Sequence, residues 1–444
     1  MPSEPRNPAT DQIPPVVVVG GGMVGIATAI WLQRAGRRVT LIDKADAPGD
    51  RASFGNAGVL ASSSVLPVTM PGLLGKLPKM LLNPSDPIFV RWPYLPKLLP
   101  WALRYLSHAN EADVRRIASA MAPIVGNSLD DHLALSEGTP ARRHIKPCDF
   151  AVLFKDRAAF EKDALGWSIR KDLGFRWTEH EGAARAACDP LFPDSFDLLA
   201  TLHDHGQITD PGAYLADLRD HFVASGGTFL HAEVTDIAHE NGRATGVVTP
   251  RGRLDASAVA ITAGAWSPLV TKKLGVKIPV EAESGYHLEF WEPSVMPKAP
   301  TLVPSGKFIL SPMAGRLRAA GGVEFGGLNN KGRGAPFEAL KRGVDRVLPG
   351  LRFAKETRWM GHRPAPTDSI PIIDQLPDLD GVYLGFGHQH VGLTGSARTG
   401  RILADMIGGS IPNIDITPYR VSRFMGERNH TRTQSAHARQ MEVC

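Results

Sequence analysis

Cysteine is scarce: Cys148, Cys188 and Cys444 are the only three in 444 residues, odd in number and far apart. That pattern fits reduced thiols and argues against a disulfide framework or a four-cysteine zinc site. Long apolar runs are missing as well. No stretch reaches about 18 consecutive apolar residues, so a spanning helix is not expected. The opening MPSEPRNPATDQIPP carries acids and prolines where a secretory signal needs a basic start and an apolar segment, which makes a cytoplasmic location the expectation. The 50 Lys and Arg residues outnumber the 45 acids, for a net charge of +5, but they are scattered and form no block interleaved with aromatics. Nucleic acid is therefore not an expected partner. The pairs His203/His205 and His388/His390 lack further ligands at sensible spacing, and no metal site is expected. No internal repeat occurs.

What is present describes a folded chain of about two domains: 43% hydrophobic and 21% charged residues. Residues 1–13 are Pro-rich and polar and 427–444 lack an apolar period, so both read as flexible tails. The informative stretch is VVVVGGGMVG, residues 16–25. Val16 to Val19 have the pattern of a strand buried on both faces of a parallel sheet. Gly20, Gly22 and Gly25 then form G-x-G-x-x-G, and an apolar helical period follows until Gly36. A second strand, Val39 to Ile42, ends on Asp43, 23 residues after Gly20. Glycines permit a tight turn and close approach of a pyrophosphate, the helix N-terminus offers N–H groups, and the carboxylate accepts from a ribose. Gly20, Gly21, Gly22, Met23, Val24, Gly25, Asp43 and Lys44 are the resulting dinucleotide contacts.

After this unit comes the small-residue loop DRASFGNAGVLASSS, residues 50–64, where an NAD enzyme would continue with further strand-helix pairs. With SFGNAG at 53–58, the chain resembles the D-amino-acid oxidase superfamily of FAD-dependent amine oxidoreductases, and within it the bacterial D-amino-acid dehydrogenase branch. WMGHRPAPTDSIPIID (359–374) resembles the family's RPxTPDxxPIIG, and VYLGFGHQHVGLTGSARTGRILADMI (382–407) its closing strand, glycine loop and helix. The resemblance implies FAD as cofactor. It adds Ser53, Asn56, Ala57, Gly58 and Val59 to the cofactor contacts, and Val234, Ala263, Gly264 and Trp266 from the segment 226–267. Gly387, Val391, Gly392, Leu393 and Thr394 complete the set. N–H groups from Val391 to Thr394 at a helix N-terminus would hydrogen-bond the flavin's pyrimidine carbonyl and favour the negative charge that gathers on the reduced ring. Relatives that tether the flavin use a histidine after the first unit or a cysteine near position 361. Here the first stretch has no histidine and Gly361 replaces the cysteine, so non-covalent binding is expected, although His362 is adjacent.

The implied reaction takes a hydride from the α-carbon of an amine, which requires a clamp for the substrate's carboxylate. A planar guanidinium binds both oxygens best. Arg363 is the choice the resemblance implies, with Arg316, Arg318 and Arg358 as competitors. His390 is a candidate for flavin or substrate contact, and Tyr286 and His287 match the start of a substrate-domain strand where the family often places an aromatic at the pocket, although alternation on a strand sends one of those two away from any given face. Phe308 is a further candidate that could equally be core. Residues 65–106 are apolar, aromatic and cut by prolines, with Lys76, Lys79, Arg91, Lys97 and Arg104 against the single acid Asp86. Such a segment could lie on an anionic membrane surface, or cap the substrate domain.

The expected fold is α/β: a Rossmann-like FAD domain of the glutathione-reductase type, with an α+β substrate domain built on a mixed antiparallel sheet. The FAD domain takes residues 14–74, 201–275 and 363–426, and the substrate domain 75–200 and 276–362. The implied activity is oxidation of a D-amino acid, including cyclic ones such as D-proline or hydroxyproline, to an imine, with quinone or oxygen as electron acceptor. Alternatives are a sarcosine- or glycine-type amine oxidase, a 2-hydroxyacid dehydrogenase and, from another class, a flavin-dependent RNA-modifying enzyme.

Overall fold

The computed structural model describes residues 13–45, 48–73, 75 and 88–425. Residues 1–12 and 427–444 of the expected tails, Cys444, and Lys76, Lys79 and Asp86 lie outside them. Val16–Val19 is the central strand the β-branched run predicts, buried on both faces. It pairs in parallel with Val39–Asp43 on one side and Ala258–Ile261 on the other. Thr228–His231 and Val382–Phe386 extend the parallel sheet, and antiparallel Ile372–Gln375 closes one edge to make six strands.

Helices Met23–Arg34, Pro211–Ala224 and Ser396–Gly408 contribute Met23, Ile26, Ile30, Tyr214, Leu218, Phe222, Ala397 and Ala404 to one core with Val16, Val18 and Leu41 of the sheet. The first and last of these helices approach so closely that a Cβ on Gly400 would stand 2.6 Å from that of Ala27. Val17, Val19 and Ile42 instead share a core with residues of the antiparallel strands Asp236–Glu240, Arg243–Thr249 and Gly252–Asp255. Both faces of the sheet are thereby covered, as a parallel sheet requires.

The second sheet has ten strands and is mixed. Its path runs Lys355–Pro366, Val280–Trp291, Arg316–Phe325, Phe308–Met313, Thr301–Val303, Ile145–Phe154, Leu198–Ile208 and Val59–Leu60. Neighbours are antiparallel except Thr301–Val303 on Ile145–Phe154 and the off-path strand Ile88–Val90 on Arg316–Phe325. Val59–Leu60 and Leu198–Ile208 belong here, so the stretch after the glycine turn reaches from the first sheet into the second. Gly58 makes the passage at φ +74°, where an added Cβ would meet Ile208 O at 2.4 Å. Val280–Trp291 pairs along its whole length with Lys355–Pro366, which sets Glu283 opposite Arg363 and Gly285 opposite Gly361. Cys148 and Cys188 are free thiols, and burial pushes Cys148 up to about 11. Among the described residues no helix is long and apolar enough to cross a membrane.

Candidate active site

A cavity of about 650 Å³ is walled by elements of both sheets. Gly20, Gly22, Met23, Val24, Asp43 and Lys44 contribute from the first strand-turn-helix unit, and Ser53, Asn56, Ala57 and Val59 from the loop after it. Val234, Ala263, Gly264 and Trp266 form another part of the wall, and Val391, Gly392, Leu393 and Thr394 another. Gly21, Gly25, Gly58 and Gly387, also expected as cofactor contacts, are not among the residues that line it.

The three motif glycines have separable reasons. Gly20 has φ +109°, and a Cβ there would meet Thr262 O at 2.6 Å. A Cβ on Gly25 would come within 1.8 Å of Gly20 O, so the helix can pack on its own turn only without a side chain. Gly22 differs, because its nearest neighbour would be Ser53 Oγ at an ordinary 3.6 Å. No atom of the described residues demands glycine at that position, yet it faces the cavity, as a cradle kept clear for a ligand would. The helix begins there with no side-chain cap from Gly22 and no acid in its first turn, and Met23 N–H donates to Ser53 Oγ at 3.1 Å. Its positive end is thus left for an anion. Asp43 accepts from the N–H groups of Gly21 and Ala45 and, at 3.1 Å, from Arg51 Nε, which fixes its carboxylate at the cavity edge. These features fit the diphosphate and ribose of a dinucleotide.

In the closing loop, Gly387 (φ +89°) and Gln389 (φ +46°) bend the backbone sharply. Val391 N–H is taken by His388 O at 3.0 Å, which narrows the expected donor set. The N–H groups of Gly392, Leu393 and Thr394 have no protein acceptor among the described residues. The loop is held from behind by His132, whose Nε2–H donates to Leu393 O at 2.8 Å while its Nδ1 accepts from Tyr214 O–H at 2.9 Å. That pair of roles requires the neutral ring, and burial pushes His132 down to about 4. His388 turns inward to Thr399 Oγ1 at 2.9 Å. His390 instead presents its side chain to the open cavity. It is solvent-accessible there, yet enough protein surrounds the ring to lower its pKa, with Arg363 adding to the effect and Glu283 opposing it.

Of the four candidate arginines, only Arg363 borders the cavity. Arg318 is fully buried, bonded to Glu289 and to the carbonyls of Phe54 and Asn56. Arg316 spans Glu289 and Asp210, and Arg358 pairs on the surface with Glu338 and Glu356. Arg363 donates through Nη1 to Glu283 Oε1 at 2.7 Å and to Gly322 O at 3.2 Å. Its guanidinium lies over Gly285, where a Cβ would stand 2.3 Å from Cζ.

Three expected pocket residues lie elsewhere. Tyr286 is buried, donates to Glu324 and stands edge-on to Phe337 at 5.0 Å. His287 is buried behind the wall, with Nδ1 on Gly55 O at 3.1 Å and its ring stacked on Trp359 at 5.1 Å, and burial lowers it to about 3. Phe308 belongs to the core of the large sheet with Leu310, Leu317 and Val344. All three sit in strands covered on both faces, so the cavity wall falls to their neighbours. Trp359, His362, Ile309, Ala320 and Arg51 line the cavity instead. Trp359 shares a strand face with Gly361 and Arg363 by simple alternation, a signal present in WMGHR. Gly55 and Gly361 leave room for its ring, because a Cβ on either would overlap it. His362 contacts Trp266 edge-on at 5.8 Å and reaches Ser284 Oγ at 3.3 Å, the start of a buried polar chain through Asn330 to Glu324.

Cavity and sheets together define a dinucleotide-dependent oxidoreductase built on two joined halves. The family described as FAD dependent oxidoreductase, or DAO, matches residues 15–406, and the chain belongs to it; its cofactor is FAD. The D-amino-acid oxidase of Bradyrhizobium diazoefficiens is 35% identical over 416 residues, 92% of this chain and 99% of that one. A D-amino acid dehydrogenase of Xanthobacter autotrophicus is 29% identical over 92% of this chain and 99% of its own length. The crystal structure of glycine oxidase from Geobacillus kaustophilus shares the fold, with a TM-score of 0.71 at 20% identity over 93% of this chain and 99% of that one.

Proposed function

We propose that the chain oxidises the α-carbon–nitrogen bond of a D-amino acid, cyclic ones such as D-proline or hydroxyproline included, to the corresponding imine. The observation that carries this reading is Arg363 in a cavity wall that also holds the apolar Trp359, Pro364, Ile309 and Ala320, the other guanidinium of the wall, Arg51, being paired with Asp43. The relatives named as D-amino-acid oxidase and dehydrogenase support it. FAD, bound without a covalent tether, supplies the hydride acceptor. Gly20, Gly22, Asp43 and Ser53 hold its nucleotide part, and Gly392, Leu393 and Thr394 offer N–H groups to the ring. Arg363 binds the substrate's carboxylate and so orients the α C–H. His390, whose pKa is held down by its surroundings, accepts the proton that the substrate's ammonium group must lose before hydride leaves. Trp359, Ile309 and Ala320 exclude water from the reacting carbon.

The test is anaerobic. A panel of D- and L-amino acids, glycine, sarcosine and 2-hydroxyacids is mixed with the purified yellow protein, and bleaching near 450 nm, roughly the flavin maximum, is expected with D-amino acids alone. Bleaching by 2-hydroxyacids or sarcosine in preference would overturn the reading. Reoxidation of the bleached enzyme by air or only by a quinone analogue then identifies the acceptor.

A peripheral membrane contact is part of the same proposal. Trp92, Leu99 and Leu103 are 59%, 49% and 62% exposed, and Lys97 and Arg104 are exposed near them. Residues 88–107 contain no acid. Arg91 does not join this surface, since it bonds Glu324 and Asn330. The opposite face of the helix Leu95–Ser107 packs through Leu98, Trp101 and Tyr105, with Trp101 Nε1 on Ala365 O at 2.9 Å. The protein should sediment with vesicles containing anionic lipid, and the double variant Leu99→Glu, Leu103→Glu should stay in the supernatant. Equal partition of both proteins would remove membrane contact through this helix.

A further inference from the structure

Glu283 stands directly across the strand pair from Arg363, its Oε1 2.7 Å from Nη1, and is only 7% exposed. Glu283 does not itself line the cavity; besides Arg363, the acidic and basic residues of the wall are Asp43, Lys44, Asp50, Arg51, Glu233 and Lys273, from the elements around the glycine cradle. Several are paired with one another there, Arg51 with Asp43 and Lys44 with Glu233. On its own strand Arg363 is accompanied in the wall by Trp359, Gly361, His362 and Pro364, none of them acidic. The guanidinium therefore meets a ligand as one half of a pair with no net charge.

We infer that Glu283 is a specificity-determining residue, which limits the site to amino acids with one carboxylate and an uncharged side chain. The inference rests on the reading of Arg363 as the carboxylate clamp. A single carboxylate can still hydrogen-bond the guanidinium, whose Nη1 alone bonds Glu283 and Gly322. A second carboxylate beside the guanidinium would find that charge already balanced and would be repelled by Glu283 behind it. A cationic side chain would have to bury its charge against Trp359, Ile309 and Ala320.

The experiment compares D-asparagine with D-aspartate, which differ in charge at nearly equal size, on the wild-type holoenzyme and on Glu283→Gln. Glutamine keeps an acceptor for Nη1 and removes only the charge. The wild type should prefer D-asparagine in kcat/KM, and the variant should shift the ratio toward D-aspartate by about tenfold or more. Binding provides a second readout without turnover: succinamate and succinate are titrated against the flavin absorbance, and their affinity ratio should move the same way. A wild type that uses both amino acids equally overturns the inference with no variant needed, and so does an unchanged ratio in a yellow, folded Glu283→Gln protein. Arg363→Lys separates the two claims. If succinamate binds that variant as tightly as wild type, the clamp reading itself fails. If its affinity collapses while Glu283→Gln leaves the ratio untouched, only the role of Glu283 fails.

Discussion

Arg363→Ala is expected to lower kcat/KM for the best amino-acid substrate by about a hundred- to ten-thousandfold. A carboxylate held by two charge-assisted hydrogen bonds loses about 1.5–3 kcal/mol for each, and tenfold corresponds to about 1.4 kcal/mol. Michaelis constant and turnover should both suffer, because the same contact binds the substrate and aims its α C–H. Arg363→Lys should recover part of the loss, since it restores the charge without the planar fork. The alanine variant also strands Glu283, which is buried and has Arg363 as its partner. The variant must therefore be shown to keep its yellow colour and its unfolding midpoint before kinetics are compared. A variant that passes both checks with an unaltered KM would remove Arg363 from substrate binding.

The second large effect is expected at the glycine turn, where two neighbouring substitutions should part company. Gly25→Ala puts a methyl group 1.8 Å from Gly20 O, an overlap that the turn can relieve only by moving the helix off the strand. Overpacking of this kind costs roughly 1–3 kcal/mol or more. The apoprotein should unfold at lower denaturant concentration, and FAD affinity should fall by a hundredfold or more along with it. Gly22→Ala meets only Ser53 Oγ at 3.6 Å, so apoprotein stability should be nearly unaltered while FAD affinity still falls. Equal loss of apoprotein stability in both variants would mean that Gly22 serves the chain and leaves no cradle for a phosphate.

Legibility in the sequence followed the distance over which each feature is decided. The strand, turn, helix and acid at 16–43 form a local unit, and their burial and φ angles are those that residue spacing demands. The fold class was readable for the same reason, with β-branched runs marking the parallel sheet. Alternation along a strand tells which residues share a face but not which face fronts a cavity. Tyr286 and His287 were expected at the pocket from the resemblance and Phe308 as a further candidate; the helix Gly334–Val347 covers Tyr286 and Phe308, and Gly55 and Trp359 cover His287. Without the resemblance, Arg316 and Arg318 could not have been set below Arg363, because their partners Asp210, Glu289 and the carbonyls at 54 and 56 lie far away in the chain. Glu283 was invisible for a related reason: its meaning comes from the register that sets it opposite Arg363. Trp359 was within reach, four residues before the arginine and on the same strand face.

The stretch 49–59 follows the first sheet in the chain, yet it is fastened to the second by its own carbonyls. Trp359 Nε1 donates to Gly49 O, His287 Nδ1 to Gly55 O, and Arg318 to Phe54 O and Asn56 O. It works as a hasp across the two halves, and FAD bound as proposed would touch both at once. Occupancy would then add to what latches the molecule shut, with resistance to unfolding rising as the logarithm of free coenzyme above its dissociation constant. In a cell short of flavin, the two halves would open more readily and the chain would be the easier prey for proteases.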